Sequence, residues 1–384
     1  MQRILGIFQH FRKKGDWVLL FLCLLANCFG LVIVASTSRH FGSPRYMSVQ
    51  IVATLLGVLC YIGLTSLRMQ ILGERRELLF LMNAFLLLLL IPFGIDGGTG
   101  NKSWLDLPVL PVNIQPAEIC KIFFTILLAK VMEVNRSRIS SPKAIFFMGF
   151  HLIFLVGMNL VLSSDMGVSL IFVFVFLVMA YVGGVKIWWF LGGFLGVAAV
   201  APYAWTSLMK EYQKNRVLVI FDPTIDPQGT GPRWHMKRSL MSLTGGGLSG
   251  QGLFQGNRTQ VGALNAQHTD FIFSAIGEEL GLIGCVFTLI LLGAIVWRII
   301  YVGMKTPDYF SRLICIGIAA AMIFQICVNV GMCIGVMPVI GLTLPFISYG
   351  GSSIVSMYLA MGVVSSIHAN PEGDRLGRYI RPNY

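Results

Sequence analysis

The sequence predicts an all-α polytopic membrane protein of about ten transmembrane helices, with a large extracytoplasmic loop between the seventh and eighth. Three observations carry that prediction. Mean hydropathy is +0.75. Of 384 residues, 55% are hydrophobic and only 12% charged. Apolar runs near the bilayer-crossing length of about 20 residues recur along the chain.

The runs fall near 17–36, 48–66, 78–95, 115–133, 144–162, 166–183, 187–206, 271–298, 312–334 and 346–367. The first follows FRKKGDW, and no small-residue cleavage site comes after it, so it reads as a retained span rather than a signal peptide. The expected organisation is a cytoplasmic N-terminus, 1–16, a single membrane domain, 17–367, and a cytoplasmic tail, 368–384. With both termini inside, Arg12, Lys13, Lys14, Arg75, Arg76, Arg136 and Arg138 lie in cytoplasmic segments, while the short outer loops hold only Arg39, Arg45 and Lys102. That is the positive-inside bias.

The segment 207–270 breaks the rhythm of spans and short loops. It contains KEYQKNRVLVIFDPTIDPQGTGPRWHMKRS and then the glycine-rich SLTGGGLSGQGLFQG, and long structureless connections are more often functional than incidental. The eight cysteines all lie in or beside apolar runs, which is core packing rather than a disulfide framework. No cysteine or histidine spacing suits zinc, so no metal site is expected. The net charge of +12 is dispersed in patches between spans; membrane lipids with anionic headgroups are the expected partners, not nucleic acid.

Acids are costly in such a chain. Asp16, Glu74, Glu77, Asp308, Glu372 and Asp374 fall where the cytoplasm would solvate them, whereas Asp96, Asp106, Glu118, Asp165, Glu211, Asp222, Asp226 and Asp270 lie on or near the outer side. Acid chemistry is therefore expected to face outward. In NIQPAEICKIFFTILLAK, 113–130, Pro116 suits a first helical turn, Glu118 sits at the positive end of the helix dipole, and Lys121 follows on the same face. Two readings stay open: a self-neutralising structural pair, or a Lys121 whose positive head meets an anionic substrate in a wet cavity.

Asp270 opens the eighth span in HTDFIFSAIGEELG. It reads as a helix N-cap, as a general base at a cavity mouth, or as both. Glu278 and Glu279, more than two turns further on, read as interior polar contacts. Glycines 245, 246, 247, 250, 252 and 256 resemble a phosphate cradle but lack the Lys-Ser/Thr of a P-loop. GLTLPFISYGGSS, 341–353, predicts a re-entrant or broken helix lining a cavity, and GMCIG, 331–335, predicts close helix packing.

With these stretches in view, NVGMCIGVMPVIGLTLPFISYGGSS, 329–353, resembles the signature of the SEDS family (shape, elongation, division and sporulation), whose members include RodA, FtsW and SpoVE. HTDFIFSAIGEELGLIG, WLDL followed by IQPAEICK, SDMG, and YQKNRVLVIFDPTIDPQGTG resemble further blocks, in order from about 94 to 365. The resemblance implies a peptidoglycan glycosyltransferase that polymerises lipid II at the outer face of the bacterial cytoplasmic membrane, working with a class B penicillin-binding transpeptidase. It places the essential acid on Asp270, the buried Glu and Lys on Glu118 and Lys121, and the acid of a Pro-Asp-Leu-Gly motif on Asp165, written here Ser164-Asp165-Met166-Gly167. Lys102, Arg216, Arg258 and His268 join the expected substrate site.

Under that chemistry Lys121 and the loop cations stabilise the leaving pyrophosphate, and Asp270 takes a proton from the acceptor hydroxyl as it attacks the anomeric carbon, with inversion. A divalent cation, Mg2+ or Mn2+, carried by the pyrophosphate is compatible with it, although no ligand set declares itself. The chain departs from the family at the outer face. Ser103 replaces the Arg before Trp104, Asn265-Ala266 replaces Pro-Glu after Leu264, and Arg238-Ser239 replaces Gln-Ser. A scaffold with impaired chemistry that recruits the transpeptidase, and a lipid-linked precursor flippase, are the alternative functions.

Overall fold

A computed structural model of the chain describes residues 2–39, 44–95, 102–106, 113–209, 211–219, 222, 232–264 and 266–371, with backbone alone at 2–5, 204, 208, 212, 213, 216 and 232. Helix α1 (Gln2–Lys14) leads to α2 (Trp17–Thr37) and α3 (Arg45–Thr65). The short α4 (Met69–Glu74) turns the chain into α5 (Arg76–Leu88) and α6 (Leu90–Phe93), and a ribbon pairs β1 (Gly94–Ile95) antiparallel with β2 (Trp104–Leu105). Then come α7 (Pro116–Val134), α8 (Pro142–Ser163), α9 (Met166–Val182) and α10 (Ile187–Tyr203). The long connection holds α11 (Glu211–Leu218), α12 (Pro232–Gly245) and α13 (Asn257–Gln260), after which α14 (Ile272–Lys305), α15 (Tyr309–Cys333) and α16 (Gly351–Ala369) complete the bundle.

Each of the ten apolar runs coincides with helix. Among the described residues, eight helices are long and apolar enough to cross a membrane. The two runs outside that set are α9, which is apolar but short, and α7, which carries Glu118, Lys121, Lys130 and Glu133. Helix starts are marked by side chains that satisfy free amides. Asp16, Ser141, Asp165 and Asp308 accept from Leu19, Ala144, Val168 and Ser311. Burial grades outward: α16 is 83% and α15 67% buried along its apolar window, against 17% for α8 and none for α10. The centre is thus α7, α15 and α16, and the periphery is the part that lipid solvates.

Three expectations change here. Asp16, placed in the cytoplasm by its sequence context, is 1% exposed and holds a bidentate pair with Arg298 of α14, at 2.9 to 3.2 Å. The carboxylate escapes water because a partner 282 positions away supplies its charge. In GMCIG, Gly335 takes φ +77 and the amide of Val336 donates to the Gly331 carbonyl, so these glycines end α15 in a left-handed cap instead of forming a helix–helix seam. The last predicted span begins later, at Gly351, because 341–350 is irregular.

The glycine-rich stretch has a structural use. Helix α14 breaks at Gly281 (φ 65, ψ −163), which removes the intrahelical partners of nearby backbone groups. The stretch supplies replacements: the amides of Gln251 and Gly252 donate to the carbonyls of Glu278 and Glu279, and the amides of Leu282 and Ile283 donate to the carbonyls of Gly247 and Leu248. Approach this close excludes side chains. A Cβ on Gly246 would sit 1.9 Å from the Gly277 oxygen, and one on Gly250 2.1 Å from the Glu279 oxygen. The stretch therefore wraps a helix kink and is not a phosphate cradle.

Candidate active site

At the bundle end that carries the long connection, α7 begins after Gln115. Glu118, in its first turn, accepts from Lys121 Nζ at 2.8 Å, with the two side chains 4% and 6% exposed. The Ser356 hydroxyl of α16 donates to the other Glu118 oxygen at 2.9 Å. A cavity of about 20 Å3, lined by Glu118, Lys121, Thr125, Ser356 and apolar side chains of α15 and α16, adjoins the pair. That is room for about one water, not for a pyrophosphate.

Asp165 belongs to the same group. One of its carboxylate oxygens caps α9 at the Val168 amide, and the other accepts from Gln115 Nε2 at 3.0 Å. Burial pushes its carboxyl above the usual value, the Glu118 charge adds to that, and the Val168 amide and Lys121 pull the other way. The Gln115 amide in turn donates to Ser352 Oγ at 3.0 Å, on the first turn of α16.

Asp270 stands just before Phe271, which takes the N-cap position of α14. It is partly exposed, and its backbone oxygen accepts from Asn329 Nδ2 at 2.9 Å. The same Asn329 amide donates to the Leu342 carbonyl at 2.7 Å. Asp270 Oδ2 lies 3.5 Å from where Gly341 would carry a Cβ, an ordinary contact distance, and Gly341 itself takes φ +73, the left-handed region that favours glycine. Segment 341–350 is held by Ser348, which donates to the Thr269 carbonyl, and by Gln50, whose side chain donates to Ser348 O and accepts from the Gly350 amide. This is the irregular backbone foreseen in the sequence, satisfied by side chains instead of by helix. His268 is boxed by the rings of Tyr46 and Tyr349, with centroids 5.0 and 5.6 Å away.

Two neighbourhoods thus form, Glu118–Lys121–Asp165 and His268–Asp270. The start of α16 joins them: Ser352 and Ser356 reach α7, while Ser353 lies 3.3 Å from Thr343 in the segment beside Asp270. Lys102 is exposed. Arg258 sends Nη1 to the Met241 carbonyl, and its amide donates to Glu278. The backbone of Arg216 lies in α11, and its side chain falls outside the described residues, as do Asn265 and Asp96. Glu278 and Glu279 are interior contacts as expected, tying Thr259, Ser36, Gln260 and Phe254.

Sequence reading missed Gln115, Asn329, Ser348, Ser352 and Ser356. Gln115 beside Pro116, and Ser352 of GGSS, were visible as polar residues in apolar context, but Gln115 finds its partners 50 and 237 positions away, at Asp165 and Ser352. Two of the departures from the family pattern, Arg238 and Ala266, are absorbed locally. The Arg238 guanidinium lies 4.1 Å over the Trp234 ring and donates to the Ala263 carbonyl, and Ala266, at φ 55, accepts from the Thr269 and Phe271 amides.

Known proteins resemble the chain over nearly its whole length. Peptidoglycan glycosyltransferase MrdB of Escherichia coli K12 is 30% identical over 367 residues, 93% of this chain and 96% of that protein. The probable peptidoglycan glycosyltransferase FtsW of Haemophilus influenzae is 32% identical over 374 residues, 94% and 92% of the two chains. A structure solved for "Structural coordination of polymerization and crosslinking by a peptidoglycan synthase complex" superposes with a TM-score of 0.79 at 29% identity, covering 94% of this chain and 99% of that one. The family model for FtsW, RodA and SpoVE, described as cell cycle protein, matches residues 16–372, and with the fold and the blocks around Asp270 in place, this chain belongs to that family.

Proposed function

We propose that this multi-pass membrane protein is a peptidoglycan glycosyltransferase that polymerises lipid II at the outer face of the bacterial cytoplasmic membrane, with Asp270 as general base. The observation that carries the assignment of the base is the setting of Asp270, a partly exposed carboxylate whose backbone is pinned by Asn329 and whose flank is left open by Gly341. In the reaction, the acceptor sugar hydroxyl forms a bond to the donor's anomeric carbon, and its proton passes to Asp270. The bond from that carbon to the pyrophosphate oxygen breaks with its electron pair on the leaving lipid pyrophosphate, so one displacement gives inversion.

Glu118, Lys121 and Asp165 hold the first turn of α16 against α7. Lys121 meets the pyrophosphate once the cavity between α7, α15 and α16 widens, and Arg216, Arg258, Lys102 and His268 belong to the loop-side substrate surface. In this reading a divalent cation, Mg2+ or Mn2+, arrives bound to the substrate pyrophosphate, and no step is routed through it. The ten helical runs are ten spans, 17–367 forms one membrane domain between cytoplasmic ends 1–16 and 368–384, and a class B penicillin-binding transpeptidase is the partner.

Polymerisation of labelled lipid II by purified protein, compared with Asp270→Asn, tests this reading. Glycan chains made equally well by the variant would remove Asp270 from the chemistry.

A further inference from the structure

At the opposite, basic end of the bundle, the end of α7, the start of α15 and the turn between α9 and α10 meet around Tyr309. The Tyr309 hydroxyl donates to the Gly183 carbonyl at 2.8 Å, and the Arg136 guanidinium stands 4.5 Å over its ring. Arg312 follows Tyr309 by three residues, on the same face of α15. Arg136 is exposed and Arg312 partly buried. Arg312 Nε is shut off from solvent with no hydrogen-bond partner among the described residues. A guanidinium donor in that state is costly, and the exposed remainder of the partly buried Arg312 side chain is what an acceptor oxygen from outside the chain meets.

The neighbouring carboxylates do not provide it. Glu133 accepts from Lys130 at 2.8 Å. Asp308 Oδ2 accepts from the Ser311 amide and hydroxyl and from Gln70. Exposed Arg138, Lys143 and Lys186 extend the positive surface. The apolar side chains of Val134, Tyr181 and Val182, which are exposed, continue from it along the bundle wall, and Trp188 and Trp189 flank it as aromatic residues do at headgroup depth. A ligand here meets two planar cationic forks that match a phosphate, and a hydrocarbon-facing wall beside them.

We propose that Arg136 and Arg312, on the Tyr309 platform, bind the phosphodiester of an anionic phospholipid in the cytoplasmic leaflet. The apolar wall selects a lipid over free phosphate. The site rests on the membrane orientation proposed above and not on the glycosyltransferase chemistry.

The test is native mass spectrometry of the full-length chain in detergent with phosphatidylglycerol or phosphatidylcholine added at equal concentration. Wild type retains phosphatidylglycerol selectively. Arg136→Gln with Arg312→Gln lowers that retention by roughly fivefold for each charge removed, whereas Arg138→Gln with Lys143→Gln, an equal charge change on the same face, lowers it by less than about twofold. If the first pair does not fold, Arg136→Gln alone, at an exposed position, carries the same comparison. Equal losses in both pairs would reduce the site to diffuse charge, equal retention of the two lipids would remove headgroup recognition, and displacement by excess inorganic phosphate would make it a phosphate site. Each of these outcomes overturns the proposal.

Discussion

Glu118 and Lys121 neutralise each other at 2.8 Å in a setting almost without water. Removing one partner leaves the other charged and buried, which costs about 3–5 kcal/mol, whereas replacing both with apolar groups of similar size costs far less. Glu118→Gln is therefore expected to lower the thermal unfolding temperature sharply, and Lys121→Met added to it to recover much of the loss. A thiol-reactive dye reads this out, because Cys23, Cys120, Cys315 and Cys333 are buried in the folded chain. Asp165 carries a pH signature. Its carboxyl is raised mainly by burial, so the folded chain holds that proton to higher pH than the unfolded chain does. The stability this group contributes is complete below its unfolded value and is lost as pH rises through its raised value. Unfolding temperatures measured from about pH 7 to 4 should show wild type gaining on Asp165→Asn as pH falls; parallel curves would contradict the assignment.

Among the elements, the kink in α14 and the glycine stretch around it form one unit. Gly250 takes φ +80 and has no room for a Cβ, while Gly247 takes φ +57 in open space. Gly247→Ala is expected to cost only the left-handed strain, about 1–2 kcal/mol. Gly250→Ala adds a backbone clash and should lower stability further and impair polymerisation, which parallel unfolding and lipid II assays would check. Helix positions were legible because a bilayer imposes one requirement on every span, whereas Asp16, Asp165 and Asp308 were legible as acids and not as the caps they form. The kink was not legible, since a break at Gly281 leaves the apolar run unchanged. Helix α12 was hidden in the long connection by its polar sequence, with only Pro232 at its start and Gly245 at its end to mark it. The glycines were read by composition, and only the coordinates show the backbone they touch.

Across the whole molecule, α14 carries Asp270 just before its first turn and Arg298 near its other end. The Arg298–Asp16 pair therefore anchors the helix that presents the proposed base, and Tyr61 and Ser365 complete that anchor by bonding the Asp16 backbone. Arg298→Met leaves a carboxylate buried and unpaired, so a loss of about 3–5 kcal/mol is expected. Adding Asp16→Asn should restore part of it in the same unfolding measurement. That long-range pair had no local signal, and Asp16 looked like a solvated acid because the basic residues before it are indeed exposed. The blocks around Asp270 and Glu118 were legible as residue types in their order, while their grouping through Gln115, Asn329 and the serines of α16 depends on how the bundle folds back on itself.

The central claim is that Asp270 takes the acceptor's proton during lipid II polymerisation. The most direct measurement is glycan-chain formation from labelled lipid II by the purified chain, with and without a class B transpeptidase, for wild type and Asp270→Asn of equal unfolding temperature. The account predicts long chains from wild type and a loss of about 100-fold or more in the variant. Chains of normal length and rate from the Asn variant would contradict it.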